Sequence, residues 1–228
     1  MQMVIMCGGL ATRLGPLAKN IPKSMIIIDD KPFLEYQIEN LKKHNIKDIV
    51  LCVGHLSEKI EEHFGDGRKF GVNIKYSYDG DKPLGPIGAI KNAESLLDEE
   101  FFIMYGDSYL SVEFQKAYSF FKDNNKLGLM VVYKNQDKYD KSNLKIKDKM
   151  VISYGEKGSD FIDYGTSLIR KKALDLVPKN TMFSTGDFFK KLIEKNELLA
   201  FETKKRFYHI GTPQALDEFK DFIIKQNL

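Results

Sequence analysis

Short apolar runs bounded by polar turns alternate with segments of helical spacing through the first half of the chain. Val4 to Cys7, Met25 to Ile28, Ile49 to Val53, Ile74 to Tyr78 and Phe101 to Tyr105 predict strands. Between them, Phe33-Leu34 with Ile38 and Leu41, Ile60 with Phe64, and Ile87, Ile90, Ala93 and Leu96-Leu97 recur at three- and four-residue intervals and predict helices. Strand, helix, strand in this order predicts a parallel sheet covered on both faces. After a further amphipathic segment, Phe114 to Phe121, the pattern changes. Leu127 to Tyr133, Leu144 to Ile146, Met150 to Tyr154 and Ile162 to Ile169 succeed one another across turns such as Lys147-Asp148-Lys149, which predicts meander or hairpin strands. Helical spacing returns at Phe188-Phe189 with Leu192-Ile193, and at Ala215-Leu216 with Phe219 and Phe222-Ile223. The pattern thus predicts an α/β sheet first and a sheet-rich second lobe, with helices closing the chain.

Composition narrows the class of protein. Across 228 residues no Pro/Gly/Ser-rich linker, repeat or shift in composition divides the chain, so one domain is expected. The formal charge of +3 arises from 35 basic and 32 acidic side chains spread along the sequence. No general field invites nucleic acid or an anionic membrane, and any bound anion must be gripped locally. The two cysteines, Cys7 and Cys52, both fall in apolar strand runs, where buried free thiols are expected and a reducing, cytoplasmic location fits. No charged and apolar leader opens the chain and no apolar run approaches membrane-spanning length, so neither export nor membrane insertion is expected.

Ligands of open parallel sheets sit beyond the carboxyl ends of the strands. Two such ends are rich in small or polar residues: the loop after Cys7, and Gly106-Asp107-Ser108. The first reads CGGLATRLGPLAKNIPKSM, residues 7 to 25. Paired glycines after a strand let backbone amides approach a phosphate, Arg13 adds a planar fork of donors, and Lys23 adds a point charge just after Pro22. No Gly-Lys-Ser/Thr closes the loop and the G-x-G-x-x-G spacing is absent, which excludes the common ATPase cradle and the dinucleotide fingerprint. Beside the phosphate reading stands a plain one, in which the glycines make a turn and the cations are solvated. Strand-end position and the paired cations favour the first.

This loop resembles the signature of the sugar-phosphate nucleotidyltransferases, G-G-x-x-[GA]-T-R-[LM]-x-P-L and then P-K. The stretch IIIDDKPFLEYQIENL is similar to the family's next segment, LGPIGAIKNA to its L-G-T-[GA]-G-A-[IL] stretch, FFIMYGDSYL to its strand ending in Gly-Asp, and FYHIGTPQALDEF to its F-Y-[DE]-I-G-[ST]-P ending. The pattern is nearest to guanylyltransferases acting on mannose or heptose 1-phosphates. The resemblance implies a Rossmann-like, mostly parallel α/β sheet with helices on both faces and a smaller sheet-rich sugar-binding lobe. Residues 1–125 would form the nucleotide-binding half and 126–228 the acceptor-binding half. It also implies transfer of a nucleotidyl group, GTP favoured, to a sugar 1-phosphate, with pyrophosphate released. CTP or UTP with another phosphorylated acceptor stays open, as does a non-catalytic nucleotide-sugar-binding protein. A homo-oligomer is neither required nor excluded.

Site roles derive from the same resemblance. Cys7, Gly8, Gly9, Leu10, Arg13 and Lys23 would hold the triphosphate, with Arg13 over the departing groups and Lys23 at the α-phosphate. Leu84, Gly85 and Gly88 would contact the base. Asp107 would offer oxygen to Mg²⁺, although an aspartate there also fits a turn or helix cap. His209 stands where the family carries an acid: it could ligate metal through nitrogen, reach phosphate or metal-bound water, or mark an impaired enzyme. Pro86-Ile87 is a second departure, because proline deletes an amide donor beside the base. Glu156-Lys157 resembles the family's sugar-binding pair, and Asn143 and Tyr164-Gly165 occupy further acceptor positions. A Glu-Lys dipeptide is also common on any surface, and Tyr164 equally fits a strand aromatic in the core.

Overall fold

A computed structural model describes residues 1–9, 20–80 and 83–226. Strand β1 (Gln2–Met6) leads through the glycine loop to a small hairpin of β2 (Ile27–Ile28) and β3 (Lys31–Pro32). Next come α1 (Phe33–Lys43), β4 (Asp48–Val53), α2 (Ser57–Phe64), β5 (Asn73–Tyr78), α3 (Gly85–Asn92), β6 (Glu100–Tyr105), β7 (Ser108–Tyr109) and α4 (Phe114–Asn124). The second half contains β8 (Gly128–Lys134), β9 (Leu144–Lys147), β10 (Met150–Tyr154), β11 (Phe161–Arg170), α5 (Thr185–Glu194), β12 (Leu198–Thr203), β13 (Tyr208–His209) and α6 (Pro213–Gln226).

Nine strands form one sheet in the order β5-β4-β1-β6-β11-β8-β12-β10-β9. The first four run parallel, β11 enters antiparallel, β8 and β12 are parallel to each other, and β10 and β9 close the far edge as an antiparallel hairpin. The expected α/β class is therefore present. The second-half strands extend the first sheet, and their sheet-rich part is its β10–β9 edge. Asp148 and Lys149 make the two-residue turn of that hairpin, both at positive φ, as the right-handed strand twist requires.

Period-two alternation assigns the two faces. Met3, Ile5, Ile49, Leu51, Phe102 and Met104 point to one side, where Leu34, Ile38 and Leu41 of α1, Ile60 and Phe64 of α2, and Phe114 and Phe121 of α4 cover them. Val4, Val50, Cys52, Phe101 and Ile103 point to the other, under Ile87 and Ile90 of α3 and Phe188, Phe189 and Leu192 of α5. A third cluster fastens α6 to α1 through Phe219, Leu216 and Ile223 against Phe33 and Tyr36. One expected strand differs: Met25 to Ile28 splits into a 3₁₀ turn over Lys23–Met25 and the two-residue β2. This short form suits a segment that turns back at Asp29-Asp30 instead of entering the sheet.

Candidate functional site

Because β5, β4, β1 and β6 run parallel, their carboxyl ends open on the same side. A cavity of about 470 Å³ lies there, a volume suited to a small ligand. Its wall is made by Cys7, Gly8 and Gly9 after β1, Cys52 at the end of β4, Asp79 after β5, and Tyr105, Gly106 and Asp107 after β6. Lys23 and Ser24, from the 3₁₀ turn, and Pro83, Gly85, Pro86 and Ala89 around the start of α3, complete it. The glycine turn and Asp107, far apart in the chain, thus share one cleft. Leu10 and Arg13 lie outside the described residues.

Lys23 and Asp107 meet directly as an ion pair through Nζ and Oδ2. Their side chains are 14% and 28% exposed, so the pair is sheltered yet reachable from the cavity. Asp107 is fixed from behind: its carbonyl accepts the Ile210 amide at 2.9 Å, and Ser108 Oγ donates to its Oδ1 at 3.2 Å. Cys7 and Cys52 are buried free thiols, as expected, and burial pushes the Cys7 thiol up to about 12, which leaves it a neutral part of the wall.

Asp79 is a wall residue that the sequence reading missed. Burial alone pushes its carboxyl up from 3.8 to about 6. The strand-end rule was the available signal, since an acid comes directly after the run ending at Tyr78. A second missed acid is Asp163, inside the apolar run of β11, where a carboxylate is a signal in itself. It accepts hydrogen bonds from the Tyr105 hydroxyl at 2.9 Å, the Tyr154 hydroxyl at 3.4 Å and the Gly165 amide at 2.9 Å, while burial raises its pKa. Tyr105 carries this cluster to the cavity wall.

Several expected contacts are placed elsewhere. Tyr164 is 1% exposed and belongs to the core against Phe207 and Tyr133. Its hydroxyl accepts from the Ser111 amide and donates to the Arg206 carbonyl, so it has no reach to the cleft. Glu156 and Lys157 stand on the exposed turn after β10, outside the cavity wall, and Glu156 pairs with Lys145 at 3.0 Å. Asn143 uses its Oδ1 to accept the Asp163 amide, which ties it and Gly165 to the Asp163 cluster beside the cavity.

The α3 segment is also used differently from expectation. A Cβ on Gly88 would lie 2.6 Å from the Thr181 carbonyl oxygen, so this glycine serves close packing against residues 181–183. The Phe183 amide donates to the Leu84 carbonyl, and the Phe183 carbonyl accepts from the amides of Ile87 and Gly88. Of the three expected base contacts, Gly85 alone lines the cavity.

His209 pairs across β13 and β7 with Ser108, next to Asp107 in sequence, and does not line the cavity. Its Nδ1 accepts the Gly211 amide at 3.0 Å, which assigns the ring proton of the neutral form to Nε2. In this structure that bond occupies Nδ1. Among the described residues no group of three His, Cys, Asp or Glu side chains could hold an ion. Of the two carboxylates in the wall, Asp107 stands beside Lys23, and a single carboxylate there fits Mg²⁺ arriving with a polyphosphate and keeping its waters, not a resident metal cage. No helix among the described residues is long and apolar enough to cross a membrane.

The family model for nucleotidyl transferases matches residues 2–226. A D-glycero-alpha-D-manno-heptose 1-phosphate guanylyltransferase of Campylobacter jejuni is 35% identical over 223 residues, covering 96% of this chain and 98% of that protein. A mannose-1-phosphate guanyltransferase of Yarrowia lipolytica is 29% identical, covering 98% of this chain and 62% of that one. Among solved structures, HddC from Yersinia pseudotuberculosis complexed with GMP-PN superposes with a TM-score of 0.82 at 27% identity, over 97% of this chain and 99% of that one.

Proposed function

The chain belongs to the nucleotidyl transferase family, and on that premise we propose that it is a guanylyltransferase joining GTP to a sugar 1-phosphate of the mannose or heptose type. Membership makes it a sugar-1-phosphate nucleotidyltransferase, an enzyme whose products are a nucleotide sugar and pyrophosphate. The observation that carries the assignment of this cleft is the meeting of Gly8-Gly9, Lys23 and Asp107 in one cavity at the strand ends. The choice of GTP rests on the end-to-end similarity to the heptose 1-phosphate guanylyltransferase.

The reaction needs no nucleophilic side chain. An oxygen of the sugar phosphate attacks the α-phosphorus, and the bond to the β-phosphate oxygen breaks with its electron pair leaving on pyrophosphate. Positioning and charge stabilisation then carry the catalysis. In our reading the Gly8 and Gly9 backbone holds the triphosphate and Lys23 stabilises charge at the reacting phosphate. Arg13 is assigned the departing groups by the resemblance of its loop. Until a nucleotide enters, Lys23 and Asp107 neutralise each other, which keeps the ammonium aimed into the cavity. Asp107 would hold Mg²⁺ together with the phosphates, and the ion would supply charge neutralisation for the leaving pyrophosphate. The acceptor is assigned to the side of the cavity next to Tyr105 and the Asp163 cluster, and Glu156-Lys157 to an exposed turn outside the wall. Two buried, reduced thiols suit the cytoplasm.

The test is incubation of the protein and Mg²⁺ with each of the four nucleoside triphosphates against a panel of sugar 1-phosphates, with products identified by mass. The expected product is a GDP-sugar of a mannose- or heptose-type acceptor, with stoichiometric pyrophosphate. Product formed from UTP or CTP alone would overturn the guanylyl assignment.

A further inference from the structure

We propose that Asp79 selects the nucleobase, its carboxylate receiving the paired N1–H and 2-amino donors of guanine. The proposal rests on the guanylyltransferase reading above and adds the residue that would enforce it.

Among the described residues, three charged side chains line the cavity: Lys23, Asp79 and Asp107. Lys23 and Asp107 satisfy each other, whereas the Asp79 carboxylate makes no hydrogen bond or ion pair to any described residue. The two acids also enter the cleft from different strands. Asp107 comes after β6 and Asp79 after β5, and three strand spacings in the sheet order separate them. At about 4.8 Å per spacing the two backbones stand roughly 14 Å apart. The Asp79 carboxylate reaches back over Gly54 and Gly8, so a nucleotide whose phosphates lie at Lys23 and Asp107 can extend across the glycine turn to bring its base to Asp79.

The backbone makes room for this carboxylate. A Cβ on Gly8 would lie 3.1 Å from Asp79 Oδ2, and one on Gly54 would lie 3.3 Å from it. Two glycines at the ends of β1 and β4 thus form the floor on which the acid rests, and burial raises its carboxyl to about 6. A carboxylate held this way has no donor among the described residues, and a ligand can supply one.

On the opposite wall, the first turn of α3 keeps only the Gly85 amide as a donor. Pro86 has no amide, and the amides of Ile87 and Gly88 are already given to the Phe183 carbonyl. Pro83, Pro86 and Ala89 offer apolar surface for the base plane. Edge recognition then falls to an acceptor with two oxygens. Guanine alone among the common bases presents two adjacent donors, N1–H and the 2-amino group, to such a fork. Uracil has one N–H between two carbonyls, and cytosine and adenine each set an amino group beside an unprotonated ring nitrogen that a carboxylate repels.

Inosine triphosphate, which lacks the 2-amino group, is the direct probe. We expect kcat/KM for GTP to exceed that for inosine triphosphate by ~10- to 100-fold, the worth of one charge-assisted hydrogen bond. In Asp79→Ala this ratio falls toward one while UTP and CTP gain relative to GTP. If Asp79→Ala does not fold, the near-isosteric Asp79→Asn is compared in its place and the ratio again falls. A wild-type enzyme that uses GTP, with the GTP to inosine triphosphate ratio unchanged in the variant, overturns the role of Asp79 alone. A wild-type enzyme that does not use GTP overturns the guanylyl reading and this inference together.

Discussion

Asp79→Asn removes a charge from a half-buried site while keeping its shape, so it makes a quantitative prediction about stability. Burial raises the wild-type carboxyl from 3.8 to about 6 in the folded protein. At about 1.4 kcal/mol for each tenfold change in proton affinity, that rise corresponds to about 3 kcal/mol. Solvent reaches half of the group, so a figure of about 1–2 kcal/mol is the appropriate expectation. The sign comes from linkage. A carboxyl whose folded pKa is raised stabilises the fold fully below 3.8 and loses that contribution as pH rises through about 6. At pH 8 the wild type therefore carries the whole cost of a desolvated charge, and Asp79→Asn carries none. The thiols of Cys7 and Cys52, which face the same region, are held protonated by burial and do not titrate over this range. Urea unfolding at pH 4.5 and pH 8 measures the effect as a double difference, which cancels other titrations common to both proteins. The variant should gain about 1–2 kcal/mol on the wild type at pH 8 and less at pH 4.5. A variant that gains nothing on the wild type at pH 8, or gains as much at pH 4.5, would refute the claim that burial alone sets the Asp79 carboxyl.

The other predictions concern the phosphate end and the packing. Lys23→Ala should lower turnover by about 100- to 1000-fold at saturating substrates, read by pyrophosphate release; near-wild-type turnover would remove Lys23 from the phosphate site. Gly88→Ala forces a Cβ against the Thr181 carbonyl and should destabilise by about 1–3 kcal/mol, seen as a lower urea midpoint with unchanged slope. Tyr164→Phe leaves the Ser111 amide without its acceptor and should cost about 1–3 kcal/mol of stability, while KM for the sugar phosphate stays unchanged; a raised KM would return Tyr164 to the acceptor site.

Much of the fold was legible because the first-half strands carry apolar residues on both faces and the helices between them keep a clear apolar stripe. β12 was missed, since Leu198 to Phe201 is short and continues directly from the α5 region without a turn signal beyond Asn196. Its place between β8 and β10 depends on pairing partners about 70 and 50 residues upstream, which periodicity does not encode. At the site, Lys23 and Asp107 were readable because each sits in a motif at a strand end. Tyr164 was not, because Asp163 and Tyr164 are neighbours on one strand and must face opposite ways: the acid turns to Tyr105 and the tyrosine to the core. Motif position pointed to Tyr164 and Gly165 and passed over Asp163, whose facing the pleat decides. The closing of α3 by Phe183 likewise escaped notice, since it joins segments about 95 residues apart through backbone groups alone.

A crystal structure with a slowly hydrolysed GTP analogue and Mg²⁺ would test the central claim most directly. The account predicts phosphates beside Gly9, Lys23 and Asp107, with the guanine edge on Asp79 across Gly8. Phosphates bound instead in a separate hollow lined by Arg206, His209 and Gln214 would contradict it.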